Sequence, residues 1–394
     1  MKISKEKLII IITVFIDVLG IGIIIPILPF YVENFGVSPF GVTLLFATFS
    51  LFSFFSAPFL GSLSDKIGRR PVLLISILST ALGWFIFAGA KNVFFLFLGR
   101  IVDGLAAGNF PIAQGYLVDI SKNEKERATN LGIIGAIFGV GLVVGPILGG
   151  ILSEFSFSLP FYFSGILATL NFFGAYFFLP ETNKKIDKTK KISKNPLLPI
   201  LNSFQDKKLR TRYLVWFLFG LAVSFHQSIM ALFLDAQFGF GSSAVSYVLT
   251  VMGVIILLNQ GVLLNKFWLR FFSESFLELW PFLSFAIGYI LMDMKNVVFF
   301  LSGLVLLGFS QSILRVIITS RVSEISSQEK RGEALGILSA IFSLAMIVAP
   351  PMAGIFFEIK IWLPFIVSAG LVLGTFGIMK YCCFEKNNNN VNYK

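Results

Sequence analysis

Twelve apolar stretches alternate with polar loops along this chain, at about 8–30, 41–61, 71–90, 93–118, 128–152, 160–179, 213–234, 244–264, 275–292, 296–319, 333–356 and 361–381. A helix needs about 20 mostly apolar residues to cross a bilayer. Backbone polar groups inside lipid must be bonded within their own segment, so each stretch is expected to be a helix. The first follows Lys2, Lys5 and Lys7, holds Asp17 and ends at Pro26-Ile27-Leu28-Pro29. It is longer than the apolar core of a signal peptide, about 7–15 residues, and reads as a retained span.

The loops carry charge on alternate sides. With the N-terminus inside, inner segments hold 27 of the 32 Lys and Arg, and outer loops hold Lys91, Lys295 and Lys360. Arg100 and Arg315 lie within spans. This asymmetry places both termini in the cytoplasm. The chain divides into a bundle over 1–180, a basic cytoplasmic linker over 181–212, a second bundle over 213–381 and a cytoplasmic tail over 382–394.

The two bundles are related in sequence. Arg127–Glu154 and Arg331–Glu358, 204 positions apart, share twelve residues without a gap, among them Arg127/Arg331, Gly132/Gly336, Pro146/Pro350, Gly150/Gly354 and Glu154/Glu358. Asn92 and Gly104 meet Asn296 and Gly308 at the same offset. Apolar bias raises Ile and Leu matches but not these. A repeated six-span unit is a mark of transporters built from two halves around a central site.

Composition agrees. Hydrophobic residues make up 56% of the 394 positions and charged residues 13%, against about 25% charged in ordinary soluble domains. The net charge of +11 comes from topological anchors, so no nucleic-acid partner is expected. Cys382 and Cys383 are adjacent and imply no disulfide framework. There is no phosphate-binding loop, metal constellation or catalytic triad, so neither a cofactor nor an enzymatic role is expected.

Several stretches carry candidate chemistry. The loop after the second span reads Gly61-Ser62-Leu63-Ser64-Asp65-Lys66-Ile67-Gly68-Arg69-Arg70. Gly61 is expected to let two helices approach, Gly68 to permit a tight turn, and Asp65 to join a breakable charge latch; a plain topological anchor is the alternative. Span 5 contains Gly141, Gly145-Pro146 and Gly149-Gly150. Its proline bends the helix and its glycines permit close packing. Span 4 reads Leu98-Gly99-Arg100-Ile101-Val102-Asp103-Gly104-Leu105-Ala106-Ala107-Gly108.

The loop is similar to the signature of the major facilitator superfamily, Gly-x-Leu-x-Asp-Arg/Lys-x-Gly-Arg-Arg/Lys. Span 5 resembles its antiporter motif, Gly-x-x-x-Gly-Pro-x-x-Gly-Gly. Span 4 resembles its Arg-x-x-x-Gly proton-coupling motif. Span 1 (Asp17, Gly20, Gly22, Pro26, Pro29) is similar to that of drug/proton antiporters, notably tetracycline exporters. The resemblance implies an all-α major facilitator fold of twelve transmembrane helices in two pseudo-symmetric six-helix bundles, with a cavity lined by spans 1, 4, 7 and 10. It also implies proton-coupled drug efflux. Two features depart from tetracycline exporters: Gly83 and Ser284-Phe285-Ala286 stand where those carry acids in spans 3 and 9. The cognate loop after span 8 has Asn265 for the acid and Trp268 for glycine, so a weaker second latch is expected.

Charged groups inside lipid cost at least about 2.5–3.5 kcal/mol each, so they pair and mark pathways. Counting about 1.5 Å per residue puts Asp17 and Asp103 near one level with Arg100 just above. Two acids with one arginine are expected to act as a coupled unit holding one proton in one state. His226, the single histidine, titrates in the physiological range and is a further proton-coupling candidate; hydrogen-bonded packing is the alternative. Gln227, Asn109 and Gln311 are expected to line the substrate cavity. Asp119 and Arg127 are expected in the latch with Asp65, Arg69 and Arg70. The expected partners are a small amphipathic solute, protons and the lipid bilayer, with the chain acting as a monomer in the cell (inner) membrane. A nutrient importer or uniporter of the same fold, and a membrane receptor or scaffold that transports nothing, are the rival readings.

Overall fold

The computed structural model describes residues 5–182, 196–206, 209–327 and 331–391, without the side chains at 128 and 382–391. Residues 183–195 and 207–208 of the expected linker, and the side chains of the expected tail, lie outside it. Among the described residues there is no strand, and twelve helical crossings are long and apolar enough to span a membrane. They begin with α1 (Lys5–Glu33), α2 (Pro39–Ile67) and α3 (Arg69–Ala88). The fourth crossing comes in two pieces, α4 (Val93–Leu105) and α5 (Asn109–Asp119), followed by α6 (Glu124–Ser153) and α7 (Leu159–Phe178). A short α8 (Leu197–Ser203) precedes α9 (Arg210–Phe238). Next, α10 (Ser242–Leu258) runs on as a π-helix (Asn259–Trp268) and a last turn, α11 (Leu269–Phe271). The chain closes with α12 (Glu274–Asp293), α13 (Val297–Ile325), α14 (Arg331–Ile359) and α15 (Leu363–Val391).

Polar caps set many of the boundaries. The side chains of Ser38, Asn92, Asn123, Ser273 and Asn296 each accept a bond from a backbone N–H in the following first turn, replacing a partner the helix cannot supply. Asn92 and Asn296, matched in the sequence repeat, cap corresponding helices. Between α2 and α3 the chain reverses through Gly68 at φ 110°, a conformation open to glycine.

The chain forms two compact units, Met1–Pro196 with Phe240–Val251, and Leu197–Gly239 with Met252–Lys394. Inside the first, α1 lies along α6, and α3 packs on α4 and α7. Inside the second, α9 lies along α14, and α12 packs on α13 and α15. The pairings recur as the sequence repeat requires. The α1–α6 crossing is built on glycine: a Cβ at Gly145 would stand 2.7 Å from the Gly22 Cα, and one at Gly22 would stand 3.0 Å from the Gly141 carbonyl oxygen. At the cognate α9–α14 crossing, Ala345 replaces Gly141, and a Cβ at Gly220 would meet its Cβ at 3.1 Å. The glycine motif of span 5 therefore serves to seat α6 directly on α1, the helix that carries Asp17. Gly149 continues this seam against Ile23, while Gly150 faces Ser246 at the start of α10.

Candidate proton-coupling site

The break between α4 and α5 organises the site. Gly104 and Gly108 are poor helix formers, and Pro111 has no N–H to give the Ala107 carbonyl. The helix stops at Leu105 and restarts at Asn109. The Ser56 hydroxyl donates to the Gly104 carbonyl at 2.6 Å, satisfying backbone that the break exposes in the apolar layer. A continuous helix over 93–118 was expected from hydropathy; the Gly-Gly-Pro spacing is the signal that contradicts it.

Asn109, first residue of α5, reaches into the unit. Its Nδ2 donates to Asp17 Oδ1 on α1 at 2.9 Å and to the Thr80 hydroxyl on α3 at 3.2 Å. Arg100 and Asp103, one turn apart on α4, form a buried pair with Nη2 at 2.8 Å from Oδ2. The guanidinium carbon lies 4.7 Å from the Trp84 ring centre and 5.3 Å from that of Phe87, a desolvated cation–π setting. Thr80 also neighbours Asp103, and the two aspartates are near enough to feel each other's charge. One amide and one hydroxyl thus join a carboxyl on α1 to an arginine–carboxyl pair on the broken span. Gly83 makes this possible: a Cβ there would stand 2.7 Å from the Asp103 Cβ.

His226 belongs to the second unit. It is 1% exposed. Its Nδ1 lies 2.8 Å from the Tyr289 hydroxyl, which donates to the Ala222 carbonyl at 2.9 Å. With that hydroxyl proton committed, Nδ1–H donates to the Tyr289 oxygen. Phe285 packs edge-on to the ring. Its hydrogen-bonded neighbours are thus packing groups of α9 and α12, whereas Asp17, Asn109, Arg100 and Asp103 are gathered in the first unit. Gln227 and Gln311 are half-buried on α9 and α13, and the Gln311 Oε1 is buried without a hydrogen bond among the described residues.

These features have counterparts in known proteins. The sequence profile of the Major Facilitator Superfamily matches residues 10–277 and 267–387. The chain belongs to this superfamily. It is 29% identical over 374 residues to the quinolone resistance protein NorA of Staphylococcus aureus, covering 94% of each chain. It is 29% identical over 356 residues to the class C tetracycline resistance protein of Escherichia coli, covering 89% of each. Its fold matches the human organic anion transporter MFSD10 (TM-score 0.72, 20% identity, 95% of this chain and 99% of that one). It also matches the nucleoside transporter NupG (TM-score 0.78, 14% identity, 95% and 99%).

In this major facilitator protein the signature loop is a charge network. Arg69 pairs with Asp65 at 2.6 Å and Asp119 at 3.1 Å. Glu181, which follows α7, accepts from the backbone N–H of Arg69 at 2.9 Å and of Arg70 at 3.0 Å. A carboxylate at a helix N-terminus meets both the free N–H groups and the positive end of the dipole. Sequence reasoning missed Glu181 because it lies 112 positions from its partner; as the first acid after span 6 it was visible but had no local pattern. Two expectations are corrected. Arg127, in the first turn of α6, is exposed and makes no ion pair among the described residues, Asp119 pairing with Arg69 instead. Among the described residues, nothing outside its own stretch of helix lies within 4 Å of the place a Cβ at Gly61 would take, so within the first unit no neighbouring helix crowds it there.

The cognate loop of the second unit, Gly261–Arg270, carries no acid. Asn265 is exposed, and the Trp268 indole donates to Asn259 Oδ1 at 2.6 Å, inside the π-helical stretch. Charge is concentrated elsewhere: Glu278 on α12 pairs with Arg212 on α9, while Arg321 on α13 contacts Glu274 at 3.0 Å and Glu324 at 2.8 Å. These pairs join α9, α12 and α13 and involve no residue of the loop itself.

Proposed function

We propose that this chain exports small amphipathic compounds from the cell in exchange for protons, by alternating access between two six-span bundles over 1–180 and 213–381. The observation that carries this reading is the Asp17–Asn109–Thr80 chain set against the buried Arg100–Asp103 pair on a broken span. Discontinuous helices at mid-membrane are where secondary transporters bind substrate and coupling ions. Asp17 can take a proton when the site faces outward and give it up when the site faces inward, while Asn109 holds the carboxyl in place in both states. Arg100 balances the charge of Asp103, so that proton transfer at Asp17 is the net charge change. The relatives named for quinolone and tetracycline resistance support a drug-like substrate. Gly83 and Ser284-Phe285-Ala286 carry no acid, and so favour a substrate other than tetracycline.

The basic loops support cytoplasmic termini. The Arg69 network acts as a latch that must open as the bundles rock. In this reading the chain works as a monomer, without a cofactor, a nucleic-acid partner or an enzymatic step, and His226 is a packing residue. Transport in inverted vesicles, with a panel containing a fluoroquinolone, an amphipathic dye and tetracycline, tests the proposal. Uptake that requires an acidic lumen is expected for at least one compound. Flux indifferent to the pH gradient would favour a uniporter, and no flux at all a receptor.

A further inference from the structure

The second half of the eighth crossing departs from its counterpart in the first unit. The cognate α2 is α-helical over its whole length, Pro39–Ile67, whereas α10 passes at Asn259 into a π-helix of ten residues, Asn259–Trp268. The π-helix is rare and mostly confined to single-turn bulges, so a run of this length needs a cause. Side chains supply one. Met252, Ile255 and Asn259 recur at α-helical spacing; Met252 and Asn259 are buried, and a Cβ at Gly308 of α13 would stand 2.7 Å from Ile255 Cγ2. Continued as an α-helix, this face would run on through Leu263, Lys266 and Arg270 and carry two basic groups against α13. In the π-helix it passes instead through Leu264 and Trp268, which join Ile313 and Ile317 of α13 in one apolar cluster, while Lys266 and Arg270 are exposed.

A hydrogen-bonded clasp fits the π form and not the α form. Asn259 is fully buried. Its Nδ2 donates to the Ser312 hydroxyl and, at 3.3 Å, to the Phe309 carbonyl, both on α13. Its Oδ1 accepts from the Trp268 indole at 2.6 Å, nine residues along the chain. At about 4.4 residues per turn, that separation is about two π-helical turns, which stacks the two residues on one side. At about 3.6 residues per turn it is about two and a half α-helical turns, which puts them on opposite sides.

We propose that this half of span 8 is a two-state segment: the Asn259–Trp268 clasp holds it as a π-helix, and release of the clasp returns it to an α-helix about 3 Å longer, with Lys266 and Arg270 turned toward α13. The two forms balance. The π form has the clasp and the packing of Leu264 and Trp268. The α form has regular backbone bonding, and the stems of Lys266 and Arg270 can cover apolar surface while their charges stay in water. Discrete shifts of one helix against another are a common element of switching proteins. The proposal rests on the membrane-spanning fold, and not on the substrate, direction or coupling of transport.

Spin labels at Val254 and Phe271, both exposed, bracket the segment in full-length protein with Cys382 and Cys383 replaced by serine, reconstituted in lipid nanodiscs. The two sites stand about a quarter turn apart around the helix axis in either form, so pulsed electron–electron distances report its length. With the clasp intact, a major short distance and a minor one about 3 Å longer are expected. Trp268→Phe keeps a ring against Phe309, whose centre is 6.2 Å from that of Trp268, but removes the indole donor. Losing one hydrogen bond should raise the long-to-short ratio about fivefold. Ser312→Ala, which leaves span 8 itself untouched, should shift the ratio in the same direction, and gel filtration checks that both variants fold. A single distance, the same with and without the clasp, would overturn the proposal, as would two distances whose ratio neither variant moves.

Discussion

Replacing Asp103 with leucine strips the Arg100 guanidinium, itself 4% exposed, of its partner at 2.8 Å. Removing one member of a buried pair costs about 3–5 kcal/mol, because the remaining charge is left uncompensated. Here the Trp84 ring, 4.7 Å from the guanidinium carbon, stays in place, and a desolvated cation–π contact retains about 2 kcal/mol. The expected loss is therefore about 3 kcal/mol, at the low end of that range. Arg100→Leu should cost less, since a stranded carboxyl can bind a proton and a guanidinium cannot lose one. Replacing both with leucine should return stability to within about 1 kcal/mol of wild type. Unfolding free energies in mixed micelles, for both single variants and the double, close the cycle. A coupling of about 2 kcal/mol or more is expected. Additive losses, with the double variant the least stable of the three, would refute the view that the two groups act as one buried unit.

Other substitutions test the packing and the latch. Gly145→Val should abolish folded expression, because its side chain meets the Gly22 backbone, whereas Gly61→Ala should be tolerated, since no neighbouring helix of the first unit crowds it; the yield of monodisperse protein measures both. Glu181→Gln should lower turnover several-fold with little change in half-saturation, by weakening the cap that holds Arg69 and Arg70; initial rates against substrate concentration separate the two. His226→Phe should reduce thermal stability by leaving Tyr289 with one partner fewer, while the dependence of export on the pH gradient stays as in wild type.

The crossings and the repeat were legible because lipid imposes one simple rule on backbone and length. Asp17, Arg100 and Asp103 stood out for the same reason, as charges in segments that exclude charge. What escaped was whatever depends on partners distant in sequence or on irregular backbone. Hydropathy averages over Gly104, Gly108 and Pro111 and so hides the break that presents Asn109 to Asp17. It equally hides the π-helix beginning at Asn259. The motif match placed Gly83 where an acid stands in tetracycline exporters, but only the structure shows that Asp103 occupies the adjoining space. Arg127 matched its counterpart Arg331 in sequence and was assigned to the latch by proximity along the chain, which three-dimensional placement does not support.

The central claim is that the Asp17 carboxyl carries the exchanged proton, and gradient-driven export by Asp17→Asn tests it most directly. In inverted vesicles acidified inside, with expression matched to wild type, the variant should still bind substrate and equilibrate it down its gradient. It should fail to accumulate substrate against that gradient. Accumulation by Asp17→Asn equal to wild type would contradict the account.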